Sequence, residues 1–133
     1  AAADPTNTAW QRDLSISHNQ LGDLAIPAGN LDTAQQRFQA ALTIAERLAA
    51  ADPTNTAWQR DLSISHNQLG DLAIAAGNLD TAQQRFQAAL TIAERLAALD
   101  SANAQWQRDL EYFQRRMADL ANGSAEKDGT QNE

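Results

Sequence analysis

Apolar residues in this chain recur three and four positions apart. In one stretch they are Trp58, Leu62, Leu69, Leu72, Ala73 and Ala76, with Ser65 and His66 filling the turn between Leu62 and Leu69. At roughly 100° per residue these positions share one stripe, which predicts a helix from Asn55 to about Ala76. The break Asp52-Pro53-Thr54-Asn55 precedes it, with Asn55 as the N-cap. Gly77 ends the helix as a left-handed residue, and Asn78 caps the next. A second stripe holds Leu79, Ala82, Phe86, Ala89, Leu90, Ala93 and Ala97, widened by Ile92 and Leu96. It predicts a helix from about Leu79 to Ala98, with Asp80 in its first turn and Arg95 in its last, each favourable to the helix dipole. Each helix is ~20 residues, or roughly 30 Å, and the two form a hairpin.

The same hairpin is written twice. Residues 3–50 and 51–98 are identical except for Pro27 against Ala75, and Trp10, Trp58 and Trp106 mark a period of 48. A partial third copy starts at Leu99 and covers one helix, about 103–122. Such fixed-period similarity points to a stacked array rather than a single globular core. Within the third copy Ser65 becomes Phe113, Leu69 becomes Met117 and Gly70 becomes Ala118. A mid-helix glycine costs about 1 kcal/mol against Ala, so Gly22 and Gly70 imply close approach of the second helix of their hairpin. The third copy lacks a second helix, and there the glycine is gone. Arg115 and Arg116 suit a solvated end cap, Asn122-Gly123 a helix stop, and residues 124–133 a disordered polar tail. Pro27 has no N–H to donate, which predicts a shortened or bent last turn in the first helix. The expected fold is an all-α solenoid in one domain, residues 1–123. It has five helices, from repeats at about 3–50 and 51–98 and one capping helix.

Composition narrows the function. The 133 residues are 43% apolar, with three prolines, and show no β-branched runs of strand length and no hairpin turn signals. No apolar stretch reaches the ~18–20 residues of a membrane span. Ala1-Ala2-Ala3-Asp4 lacks the pattern of a signal peptide and matches the repeat joint Ala49-Ala50-Ala51-Asp52. The chain therefore reads as cut out of, or patterned on, a longer array. With no cysteine there is no disulfide or thiolate site, which fits a reducing, cytoplasmic setting. A formal charge of −7 with a single lysine argues against nucleic acid.

The small–large pattern resembles the tetratricopeptide repeat family. Its motif W-x2-L-G-x2-Y…A-x3-F…P corresponds to His18-x2-Leu21-Gly22-x2-Ala25, then Ala34-x3-Phe38, then Pro53. The second copy repeats it with His66, Leu69, Gly70, Ala73, Ala82 and Phe86. His stands for Trp and Ala for Tyr, and the period is 48 against the family's roughly 34. The excess is about seven residues per helix, nearly two turns, which keeps each stripe almost in phase. The resemblance implies a right-handed α-α solenoid whose first helices line a concave surface that holds a peptide or partner segment.

Chemistry offers little competition. Ser17, His18 and Asp23 can be written as a triad, but adjacent helical residues point ~100° apart and cannot act as nucleophile and base. A packing or hydrogen-bonding histidine is the simpler reading of His18 and His66. The three tryptophans coincide with the core stripe and are expected to be buried. No metal or cofactor is expected, and the chain reads as a non-enzymatic interaction scaffold.

One further stripe lies opposite the core. Arg12, Ile16, Asn19 and Asp23 recur as Arg60, Ile64, Asn67 and Asp71, then as Arg108, Tyr112, Arg115 and Asp119. Carried onto the concave surface, Asn amides would hold a peptide backbone and Ile beside Tyr an apolar side chain. Recurrence alone does not select this face, because duplication copies every residue. The alternative is a structural, self-assembling array, designed or excised, whose uncapped first hairpin seeks a second copy to form a homo-oligomer.

Overall fold

The computed structural model describes the backbone of residues 7–130 and the side chains of residues 7–122. Among the described residues the chain is all-helical, with five helices and no strand. They are α1 (Thr8–Ala25), α2 (Leu31–Ala51), α3 (Thr56–Ala75), α4 (Leu79–Leu99) and α5 (Ala104–Thr130). Each packs on its neighbour in the chain.

Local chemistry sets the ends. Asn7, Asn55 and Asn103 each accept through Oδ1 from the backbone N–H of Trp10, Trp58 and Trp106, all at 3.0 Å. Asn30 and Asn78 cap α2 and α4 the same way through Thr33 and Thr81. These bonds satisfy donors that a helix start leaves unpaired. Gly29 and Gly77 adopt φ of 76° and 78°. Their positive φ lets the Asn30 and Asn78 amides turn back to the carbonyls of Ala25 and Ala73. Helix α1 stops two residues earlier relative to its copy α3, at Ala25 rather than at the position of Ala75. Pro27 supplies the reason, since it cannot donate to the carbonyl four residues back.

The core lies between helices. Phe38 and Phe86 are wholly buried at the centres of the two hairpins. A Cβ on Gly22 would collide with the Phe38 ring at Cε1, and one on Gly70 would lie 2.8 Å from Phe86 Cζ. The glycines therefore allow the close approach expected of them. Between the copies, Leu69 and Leu72 of α3 join Ala34, Phe38 and Leu42 of α2 in one buried cluster. Phe113 of α5 packs with Ala89 and Ala93 of α4, filling the space that serine occupies in α3. Gln59 and Gln107 each reach a carbonyl near the end of the preceding helix, Ala49 and Ala97, at 3.5 Å.

Several expectations need correction. Trp10 is 48% exposed, and Trp58 and Trp106 are only half-buried. They sit in the first turn of their helices, where packing from the neighbouring helix is thinnest, and no helix precedes α1 among the described residues. Ala76 is exposed because it already belongs to the turn. Arg95 lies upstream of the last turn, since α4 runs on to Leu99. Helix α5 continues past Asn122-Gly123 to Thr130. A lone glycine weakens a helix by about 1 kcal/mol without ending it, and no proline follows. Of the expected tail, residues 131–133 lie outside the described residues.

Candidate functional site

Helices α1 and α3 meet only sparsely, because α1 packs on α2 while α3 packs on α4 and α2. The space left between them is a groove of about 300 Å³. Six residues of the predicted stripe line it: Arg12, Ile16, Asn19 and Asp23 from α1, with Arg60 and Ile64 from α3. Their spacing of four, three and four keeps them on one helix face, about 100° round from Ser15, His18 and Gly22, which contact α2. Ser15, Gln20 and Asp61 complete the wall. Asn67, Asp71, Arg108, Tyr112 and Arg115 lie further along α3 and α5 and do not line this groove.

The arginine column is already occupied. Arg12 Nε donates to Asp61 Oδ2 at 2.6 Å and Nη2 to Oδ1 at 3.2 Å. Arg60 grips Asp109 in the same way at 2.7 and 3.3 Å. Each is a two-pronged pair between successive first-type helices. The bond to Asp61 holds the Arg12 guanidinium above its ordinary pKa. Arg12 and Arg60 therefore tie the copies together. Arg108 of α5 is exposed.

In the acidic column Asp71 is half-buried, while Asp23 and Asp119 are exposed. Asp23 accepts from Gln68 Nε2 at 3.0 Å, and Asp71 from Arg116 Nη2. Burial raises the pKa of both carboxyls, against the pull of Gln68 on one and of Arg116 on the other. Between the charged columns run Ile16, Ile64 and Tyr112, with Ile16 and Tyr112 exposed. Asn19 and Asn67 are half-buried, each with Oδ1 inside and without a protein partner. A buried acceptor left unpaired is uncommon in folded proteins, so its repetition in both copies singles out these carboxamides.

His66 Nδ1 lies 3.4 Å from Arg85 Nη1, and His18 Nδ1 3.3 Å from Arg37 Nη1. A guanidinium can only donate, so in each contact Nδ1 is the acceptor. Burial first, then the charge of Arg85, lowers the His66 pKa to about 4. Both histidines thus join the two helices of a hairpin, and His18 meets Arg37 rather than Ser17 or Asp23. Among the described residues no group of three or more His, Asp or Glu gathers where it could hold a metal. No helix there is long and apolar enough to cross a membrane.

Sequence reasoning missed the partners of the stripe. Asp61 and Asp109 were legible in principle: an Arg-Asp pair recurs at 12–13, 60–61 and 108–109, so stacking sets the arginine of one copy beside the aspartate of the next. Arg116 was expected to be solvated like Arg115. Instead its guanidinium lies over the Phe86 ring, 4.6 Å from the centroid, and pairs with Asp71. A second hollow of about 340 Å³, beside Pro53, Ile92, Leu96 and Leu99, lies among residues assigned only to packing. Comparison with protein-family models, with curated proteins and with solved structures finds no match for this chain.

Proposed function

We propose that this protein is a non-enzymatic interaction scaffold that holds an extended peptide segment in the groove between α1 and α3. In this reading the chain is a long-helix member of the tetratricopeptide type, wound as a right-handed solenoid with α1, α3 and α5 on its concave side. The observation that carries it is the groove itself, which gathers Ile16, Ile64 and Asn19 on one face. Exposed Ile16 and half-buried Ile64 offer an apolar seat. With each Oδ1 turned inside, the Asn19 Nδ2 can donate to a peptide carbonyl, as can that of Asn67 one copy further on. With Arg12 and Arg60 neutralised by Asp61 and Asp109, the ligand is read through its backbone and an apolar side chain rather than through an acidic group.

Selection from a displayed library of random peptides tests this. Enriched peptides should lose about tenfold or more in affinity for the Asn19→Ala/Asn67→Ala variant, roughly the worth of one or two backbone hydrogen bonds. Its circular dichroism should be unchanged. Failure to enrich any peptide, or equal affinity for the variant, contradicts the assignment.

A further inference from the structure

Trp10, Leu14, Ser17, Leu21 and Leu24 of α1 are spaced four, three, four and three. That is the alternation of a coiled-coil seam, in which the residues face a partner helix along their whole length. The identical seam of α3, one copy on, shows what such a face does when it has a partner. Leu69 and Leu72 are each 4% exposed, packed on α2, and Ser65 is fully buried. On α1 the matching Leu21 and Leu24 are 45% and 71% exposed, and Ser17 is exposed too. Sequence is the same at these positions, and among the described residues no helix packs on this face of α1.

Residues beside the seam follow the same pattern among the described residues. In α3, Asp61 binds Arg12 and Gln68 donates to Asp23. Their counterparts Asp13 and Gln20 on α1 are exposed to solvent. At the other end of the molecule the outer flank of α5 carries Glu111, Gln114, Arg115 and Ala118, all exposed and with no large apolar side chain. It offers nothing for the α1 seam to pack on, which disfavours head-to-tail growth.

We propose that α1 is a dimerisation helix whose seam packs on the same seam of a second copy of this chain, antiparallel about a two-fold axis near Ser17. That pairing sets Leu14 against Leu21 of the other copy and Trp10 against Leu24. It also brings Asp13 beside Gln20 of the other copy, twice by symmetry. This is the same amide-to-carboxylate pairing that Gln68 makes with Asp23. Small Ser17 at the centre allows the helices to approach, as buried Ser65 does in α3. An isologous contact of this kind closes at two copies. Gln20 borders both faces, but the seam residues Leu21 and Leu24 do not line the peptide groove, so their substitution tests the dimer apart from peptide binding.

Sedimentation of the full chain from micromolar to near-millimolar concentration should give twice the 14.4 kDa chain mass at the upper end. The exposed double substitution Leu21→Arg/Leu24→Arg should keep the helical circular dichroism and weaken association about a hundredfold or more. Because the chain has no cysteine, Ser17→Cys should form a disulfide-linked dimer on mild oxidation, and Ala118→Cys on the outer flank of α5 should not. A monomer at every concentration, a growing ladder of oligomers, or equal cross-linking of the two cysteine variants would overturn the proposal.

Discussion

The ring of Phe86 rests against the backbone of Gly70, so close that a methyl group there would lie 2.8 Å from Cζ. This contact, and its copy between Phe38 and Gly22, sets the distance between the two helices of each hairpin. Helix propensity favours alanine over glycine by about 1 kcal/mol, but an aromatic ring fixed in a closed core has little room to move aside. Gly70→Ala should therefore destabilise the protein by about 1–3 kcal/mol in urea unfolding. The same change made in a Phe86→Leu background should cost less or become stabilising, because the ring edge is gone. Additivity of the two substitutions would show that they do not touch.

Phe38 and Phe86 have no exposed surface. Phe38→Ala or Phe86→Ala should cost about 3–5 kcal/mol through the cavity left at the hairpin centre. A loss below about 1 kcal/mol would place the core elsewhere.

Arg12 and Asp61 join successive copies across the groove, with side chains 43% and 17% exposed. Solvent weakens such a pair, so a double-mutant cycle on Arg12→Ala and Asp61→Ala should give about 0.2–1 kcal/mol, smaller in high salt. Arg60 with Asp109 should behave alike. A coupling of zero in low salt would mean that the pairs are ornamental to the stacking.

His66 should couple stability to pH. Its folded pKa of about 4 is below the ordinary 6.5, so the unfolded chain takes up the proton first. The stability it contributes is complete above pH 6.5 and is lost as pH falls towards 4. Asp71, whose pKa is raised by burial, acts with the opposite sign. Comparison with His66→Gln, which keeps an acceptor for Arg85, isolates the histidine. The parent should lose more thermal stability than the variant between about pH 7 and pH 5. Parallel losses would show that His66 is not held neutral by the fold.

How far the sequence could be read depended on what kind of interaction each residue makes. Caps and turns are local, and Asn55, Asn78 and Gly77 announced themselves by position alone. The seam of Gly70 with Phe86 was legible because the third copy, which lacks the second helix, replaces the glycine with Ala118. Packing against a neighbour is less visible: Trp10 and Trp58 share one sequence environment, yet Trp10 is exposed and Trp58 half-buried. The fate of Arg12 was hidden for a similar reason. Its partner Asp61 lies in the next copy, and only stacking brings them together. Arg116 shows the limit of reading charge as solvation, since its planar guanidinium covers Phe86.

Isoleucine methyls report most directly on whether the α1–α3 groove binds a peptide. The six isoleucines divide between the groove, with Ile16 and Ile64, and other sites, with Ile26, Ile44, Ile74 and Ile92. Titration of a selected peptide into methyl-labelled protein should shift or broaden Ile16 and Ile64 first and leave Ile44 and Ile92 unmoved. Shifts centred on Ile92, beside the hollow at the end of α4, with Ile16 and Ile64 unchanged, would contradict the assignment.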